Sequence, residues 1–157
     1  MGVFRVEGDV RAWLKGAGGD RVFWVEPGRG GTYGLPDCLL AAGGGVTVWL
    51  EVKLGWWELG EEGEIVGVGA KLRPVQRITL RRACMMGLPV GMLVGVEGRR
   101  SPIVVRLTEL DLGPKRGDFW ALKRPVFGTF LGDGEIFKSA TCTGDDPESD
   151  TIWGRCS

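Results

Sequence analysis

The chain has 157 residues, 43% of them hydrophobic and 25% charged, as expected of one soluble domain that can bury a core of its own. Twenty basic residues balance twenty acidic ones, so a nucleic-acid partner has to be argued from a local patch rather than from net charge. Histidine is absent, which excludes Ser-His-Asp and Cys-His hydrolases and histidine-ligated zinc; with no aligned cysteines either, a catalytic metal must sit on oxygen ligands, hence magnesium or manganese.

In chain order, residues 5–15 read as a short amphipathic helix with Val10, Trp13 and Leu14 on one face, ended by the glycines of 16–19. Residues 21–26 read as a strand, and PGRGGTYG (27–34) as a flexible loop. Two apolar runs, 36–42 and 46–54, flank Gly43-Gly44-Gly45 and read as a hairpin. Residues 55–72, which include Trp56 and Trp57, read as a long Gly-rich connection. Pro74 opens a helix that runs to about Met86 and stops at Gly87. Residues 89–96 and 102–107 form a second strand pair. Beyond 108 the pattern weakens; 126–138 reads as a small hairpin turning at Gly132-Asp133-Gly134, and the acidic tail from Ser139 on as loose.

This order implies an α/β domain, a mixed sheet flanked by helices over 1–107, with 108–138 packed on it as an extension and 139–157 as a flexible tail. The cysteines at 38, 84, 142 and 156 form no CxxC pair, no charged-then-apolar leader opens the sequence, and no apolar run is long enough for a bilayer. The expectation is a cytoplasmic protein with free thiols and no membrane partner.

The first hairpin carries the chemistry. Side chains alternate along a strand, so Val46, Val48, Leu50, Val52 and Leu54 make one apolar face, and Thr47, Trp49, Glu51 and Lys53 the other. A three-glycine turn pairs Ala42 with Val46, Leu40 with Val48, Leu39 with Trp49 and Asp37 with Glu51. A one-residue slip would spoil the apolar face, so pattern and turn agree on the register. Two carboxylates opposite each other on a partly buried sheet call for a cation or a raised pKa. A divalent metal held by Asp37, Glu51 and the Val52 carbonyl meets that need, with Lys53 beside it to orient a water or stabilise charge on a phosphate. Read without that metal, Asp37 caps a turn after Pro36, and Glu51 and Lys53 form a solvated strand face.

GLPD at 34–37, EVK at 51–53 and LRPVQ at 72–76 resemble the PD-(D/E)xK nuclease superfamily, above all its virus-type replication-repair (VRR-NUC) domains and the related Holliday-junction resolvases, over about residues 5–96. The resemblance implies a restriction-endonuclease-like fold, Asp37 and Glu51 as metal ligands, Lys53 as the catalytic lysine, and a glutamate on the first helix, here Glu7, as a further ligand. It implies a Mg²⁺- or Mn²⁺-dependent endonuclease acting on branched or flapped DNA, a homodimer if it works as a junction resolvase, and the host cytoplasm if it is phage-encoded. The insertion at 55–72 departs from the compact members and leaves the substrate open.

On helix 74–86, Val75, Thr79, Leu80, Ala83 and Met86 gather in one arc with Gln76 at its middle. A glutamine in an apolar stripe needs a partner, either backbone near the helix start or a group of the catalytic site. Lys71, Arg73 and Arg77, with Arg81 and Arg82, form the densest basic cluster, suited to phosphates or to solvent alike. Arg29 and Tyr33 are further candidates for contact with nucleic acid, and Trp56 and Trp57 read as core or lid. The alternative to a nuclease is a module on the same fold that binds nucleic acid or protein without cutting.

Overall fold

The structure is a computed structural model and describes residues 2–25, 35–43, 46–100, 102–113, 119–123, 127–128 and 137–138. Helix α1 (Glu7–Gly18) leads through a 3-10 turn at Gly19–Arg21 into strands β1 (Val22–Trp24), β2 (Cys38–Gly43), β3 (Val46–Leu59) and β4 (Ile65–Lys71). Helix α2 (Pro74–Met85) connects to β5 (Val90–Val96), followed by β6 (Ile103–Leu107), β7 (Phe119–Lys123), β8 (Phe127–Gly128) and β9 (Phe137–Lys138). The strands lie in the order β1-β2-β3-β5-β6-β8-β9, while the far half of β3 pairs with β4, and β4 with β7. Only β3 and β5 run parallel; the other described pairs are antiparallel. The domain is thus a mixed open sheet with two helices, the α/β class expected. Among the described residues no helix is long and apolar enough to cross a membrane.

Each face of the sheet has its own core. On one, Val10, Trp13 and Leu14 of α1 pack with Phe4 against Val48, Leu50, Val52, Leu93 and Val104. On the other, Leu80 and Ala83 of α2 pack with Ile65, Val68 and Ala70 against Met92, Val94, Ile103 and Val105. β5 is therefore apolar on both sides, as a central strand next to a parallel neighbour must be. Burial also sets the length of α1. The helix does not stop at Gly16 but runs to Gly18, because its three anchors outweigh the modest propensity cost of glycine; Gly19, with φ 51°, ends it. On α2 the buried stripe is Gln76, Leu80 and Ala83, whereas Val75 and Met86, expected in the same arc, are exposed.

The first hairpin has the register expected at Leu39↔Trp49 and Leu40↔Val48, continuing to Cys38↔Leu50. Near the turn it differs: Gly43, not Ala42, pairs with Val46, and the register shifts between Ala41 and Gly43. A bulge there absorbs the extra residue and leaves the faces of 38–40 and 48–50 unchanged. The larger correction concerns 55–72. Instead of a connection it is mostly strand, with Trp56 paired to Gly69 and Trp57 to Val68 across a tight turn at 60–63. The Gly60 N–H donates to the Glu64 carbonyl at 2.8 Å, and Gly63 takes φ 79°. β3 thus serves two sheets and switches at Gly55, where a Cβ would collide with the Gly69 carbonyl and lie 3.0 Å from Val94 Cγ1.

The segment past 108 also joins the sheet: β7 pairs along the whole of Lys71–Gly67 of β4, and Phe127 of β8 pairs with Val105. β8 pairs with β9, in keeping with a hairpin over 126–138. The loop at 27–34, the turn at 132–134 and the tail from 139 fall outside the described residues.

Two glycine substitutions check this packing by urea denaturation. Gly55→Ala pushes a methyl into backbone that cannot yield and is expected to cost about 1–3 kcal/mol. Gly8→Ala, on α1 with only Val6 Cγ2 near it at 3.9 Å, is expected to stabilise by up to about 1 kcal/mol.

Candidate functional site

Four elements meet at the middle of β3. Glu51 and Lys53 stand on its α2 face, Asp37 directly precedes β2, Glu7 and Arg11 lie on the first turns of α1, and Gln76 lies on the first turn of α2. The paired register ends at Cys38↔Leu50, one residue short of the expected Asp37–Glu51 pair, and Asp37 lies close enough to Glu51 to raise its pKa.

Asp37 ties three elements together. Its Oδ2 accepts the Val52 N–H at 2.8 Å, and its Oδ1 accepts Arg11 Nη1 at 2.6 Å. The Arg11 guanidinium lies 4.7 Å from the centroid of the Trp24 ring. Within a strand the N–H and C=O of one residue face the same neighbour, so the Val52 carbonyl also faces the Asp37 edge. The next residue in register there, Pro36, has no N–H to offer it.

Glu51 is only 1% exposed. Its Oε1 accepts Gln76 Nε2 at 3.0 Å and lies 3.7 Å from Lys53 Nζ, while Oε2 is buried without a hydrogen-bond partner. Burial, then the negative charge of Asp37 and a hydrogen bond that the protonated acid can give to it, push its pKa up to about 9 against the pull of Lys53. On its own, then, Glu51 is a neutral acid at pH 7.

Gln76 resolves the choice left open by the sequence, because both partners are present at once. Its Oε1 accepts the Arg73 backbone N–H at 3.0 Å, half of a capping box at the start of α2. The same oxygen accepts Lys53 Nζ at 3.2 Å, and its Nε2 donates to Glu51. One amide thus caps its helix and holds both the acid and the lysine of β3. Lys53 is also 3.9 Å from Glu7 Oε1. Half-burial raises the Glu7 pKa, and Lys53 opposes that rise.

The remaining candidates divide. Lys71 and Arg73 are exposed and Arg77 is half-buried, all at the start of α2 beside Gln76, and Arg73 is near enough to Glu7 to lower its pKa. Arg29 and Tyr33 lie outside the described residues. Trp57 is partly buried against the α2-side core with the Arg99 guanidinium 5.4 Å from its ring centroid, whereas Trp56 is exposed. Arg11 was not anticipated as a site residue; its spacing of four from Glu7 on one helix was the only local signal.

Among the described residues, no three Asp, Glu, Cys or His side chains gather into a cluster that could hold a metal by themselves. Asp37 is close enough to Glu51 to raise its pKa and is bonded by the Val52 N–H, while Lys53 Nζ lies 3.7 Å from Glu51 Oε1 and 3.9 Å from Glu7 Oε1. A separate pocket of about 370 Å³ at the far end of α2 is lined by Cys84, Leu88, Arg106 and Thr108. There Cys84 Sγ donates to the Leu107 carbonyl at 3.5 Å, and burial raises its pKa to about 11, so no reactive thiolate faces it. No protein-family model, curated protein or solved structure matches the chain.

The raised pKa of Glu51 has a consequence for stability. The folded chain binds a proton that the unfolded chain releases, so this group's contribution is complete below its ordinary value of 4.5 and is lost as pH rises towards about 9. In thermal melts of the metal-free protein, Glu51→Gln should match wild type near pH 4.5 and exceed it by at least about 3 °C at pH 8.

Proposed function

We propose that the chain is a metal-dependent nuclease of the PD-(D/E)xK type, with a restriction-endonuclease-like fold, that hydrolyses DNA phosphodiester bonds as an endonuclease. The observation that carries this reading is the buried carboxyl of Glu51, close enough to Asp37 for that carboxylate to raise its pKa and next to a lysine held on the same face. Burial and the neighbouring Asp37 carboxylate hold Glu51 protonated in the metal-free chain, and a divalent cation is what would let both carboxylates be ionised side by side. The donor set is all oxygen, which suits Mg²⁺ or Mn²⁺.

Asp37, Glu51 and the Val52 carbonyl would hold the ion, which when bound supplies Lewis-acid polarisation of the phosphate and a water of lowered pKa. The chain's own groups do the rest. Asp37 is held by the Val52 N–H, so its carboxylate does not swing away although it stands just before β2 begins. Gln76 fixes Lys53 Nζ on the Glu51 side of the strand, where the ammonium can donate to a phosphate oxygen as negative charge builds on it. Lys71, Arg73 and Arg77, at the start of α2, offer positive charge for the flanking phosphates. Branched or flapped DNA in replication, repair or recombination is the substrate class we propose, on the motif resemblance.

The test is cleavage of labelled single-stranded, duplex, flap and four-way-junction DNA with Mg²⁺ or Mn²⁺ against EDTA. Metal-dependent cutting that falls at least about a hundredfold in Lys53→Ala is expected. Binding of the same substrates with no cutting in either metal would instead favour a non-cleaving module.

A further inference from the structure

The Arg11–Asp37 contact points to a second role within the same site, and it rests on the metal-binding reading above. At 2.6 Å this is the shortest of the ion pairs in the described residues, and it joins residues 26 apart in sequence. Asp37 has both oxygens engaged: Oδ2 by the Val52 N–H and Oδ1 by Arg11. The Val52 N–H is neutral and can share its oxygen with a cation. The guanidinium cannot do so freely, since a divalent ion on the same carboxylate would face a fixed like charge.

Arg11 is also seated independently of Asp37. Its guanidinium lies 4.7 Å from the Trp24 ring centroid, a cation–π arrangement, so it keeps a partner when the carboxylate is taken from it. Helix α1 itself is fixed by Val10, Trp13 and Leu14 in the core, so release of Arg11 requires a side-chain rotation and no movement of the helix.

We infer that Arg11 is a positioning residue that stands in for the metal ion: it holds the Asp37 carboxylate in place while the site is empty of metal, and the incoming ion takes its place on Asp37 while Trp24 keeps hold of the guanidinium. A purely structural Arg11 and a surrogate cation differ in the sign of one measurement. If Arg11 only orients Asp37, its loss loosens the carboxylate and weakens metal binding. If Arg11 competes with the ion, its loss strengthens binding.

Titration of wild type, Arg11→Gln and Arg11→Lys with Mn²⁺ by calorimetry, without DNA, decides between them. Arg11→Gln is expected to bind Mn²⁺ about three- to tenfold more tightly than wild type, and Arg11→Lys, which keeps the charge, to stay near wild type. An Arg11→Gln affinity equal to or below wild type overturns the inference and leaves the metal site standing. No Mn²⁺ binding by either protein overturns both. If Arg11→Gln does not fold, Arg11→Met, which removes the charge and keeps a long unbranched side chain, is expected to strengthen Mn²⁺ binding in the same way. Unchanged binding in that variant contradicts the displacement.

Discussion

A carboxylic acid that is 1% exposed, in the middle of the strand shared by two sheets, is the constraint around which this domain is arranged. Burying a carboxylate is tolerated only where it is neutralised or partnered, and Glu51 has one hydrogen-bond donor for its two oxygens. The neighbouring groups all respond to it. Gln76 is turned toward it by its own helix cap, Lys53 is drawn to the same oxygen, and Asp37 across the hairpin raises its pKa further. An acid under this pressure at a convergence of charged side chains is a common sign of a working site, and on the proposed reading its missing partner is the metal ion.

The scaffold explains why that acid cannot simply turn to water. The α1-side core buries Val48, Leu50 and Val52 completely, which locks the register of β3, and with it the face on which Glu51 and Lys53 stand. On the opposite face α2, β4 and the partly buried Trp49 and Trp57 cover the strand on either side of the pair. The hairpin β3–β4 extends this cover, and its bend depends on Gly55, where only a residue without a side chain lets the Gly69 carbonyl approach. Gly95 has a similar part on the other face, since a Cβ there would run into Val10 of α1.

Much of this was legible in the sequence, and the failures have physical causes. The nearness of Asp37 and Glu51 could be derived because Val48, Leu50 and Val52 are unbroken in period two, and a slip would have exposed all of them. The same reasoning failed at Ala42, where glycines leave no side chain to pin the register and a bulge slips in. It failed over 55–71 for the same reason: Gly55, Gly67 and Gly69 leave few side chains to show an alternation, and a register shift between Glu58 and Leu59 puts Ile65 out of step with Val68 and Ala70. Pro74 and Gly87 bounded α2 well, but Val75 and Met86 were misplaced, because period alone does not say which edge of an apolar arc meets the sheet. Arg11 was invisible for a different reason. Its partners Asp37 and Trp24 are 13 or more residues away in sequence, and only the docking of α1 on the sheet brings Arg11 to them.

The most direct measurement is calorimetric titration of Mg²⁺ or Mn²⁺ at pH 7 in buffers of differing ionisation enthalpy, which counts the protons released on binding. With Glu51 protonated in the metal-free chain and ionised as a ligand, about one proton should leave per ion bound, and that release should vanish in Glu51→Gln. Binding that releases no proton in the wild-type protein, or no binding at all, would contradict a buried Glu51 as the acid that the metal completes.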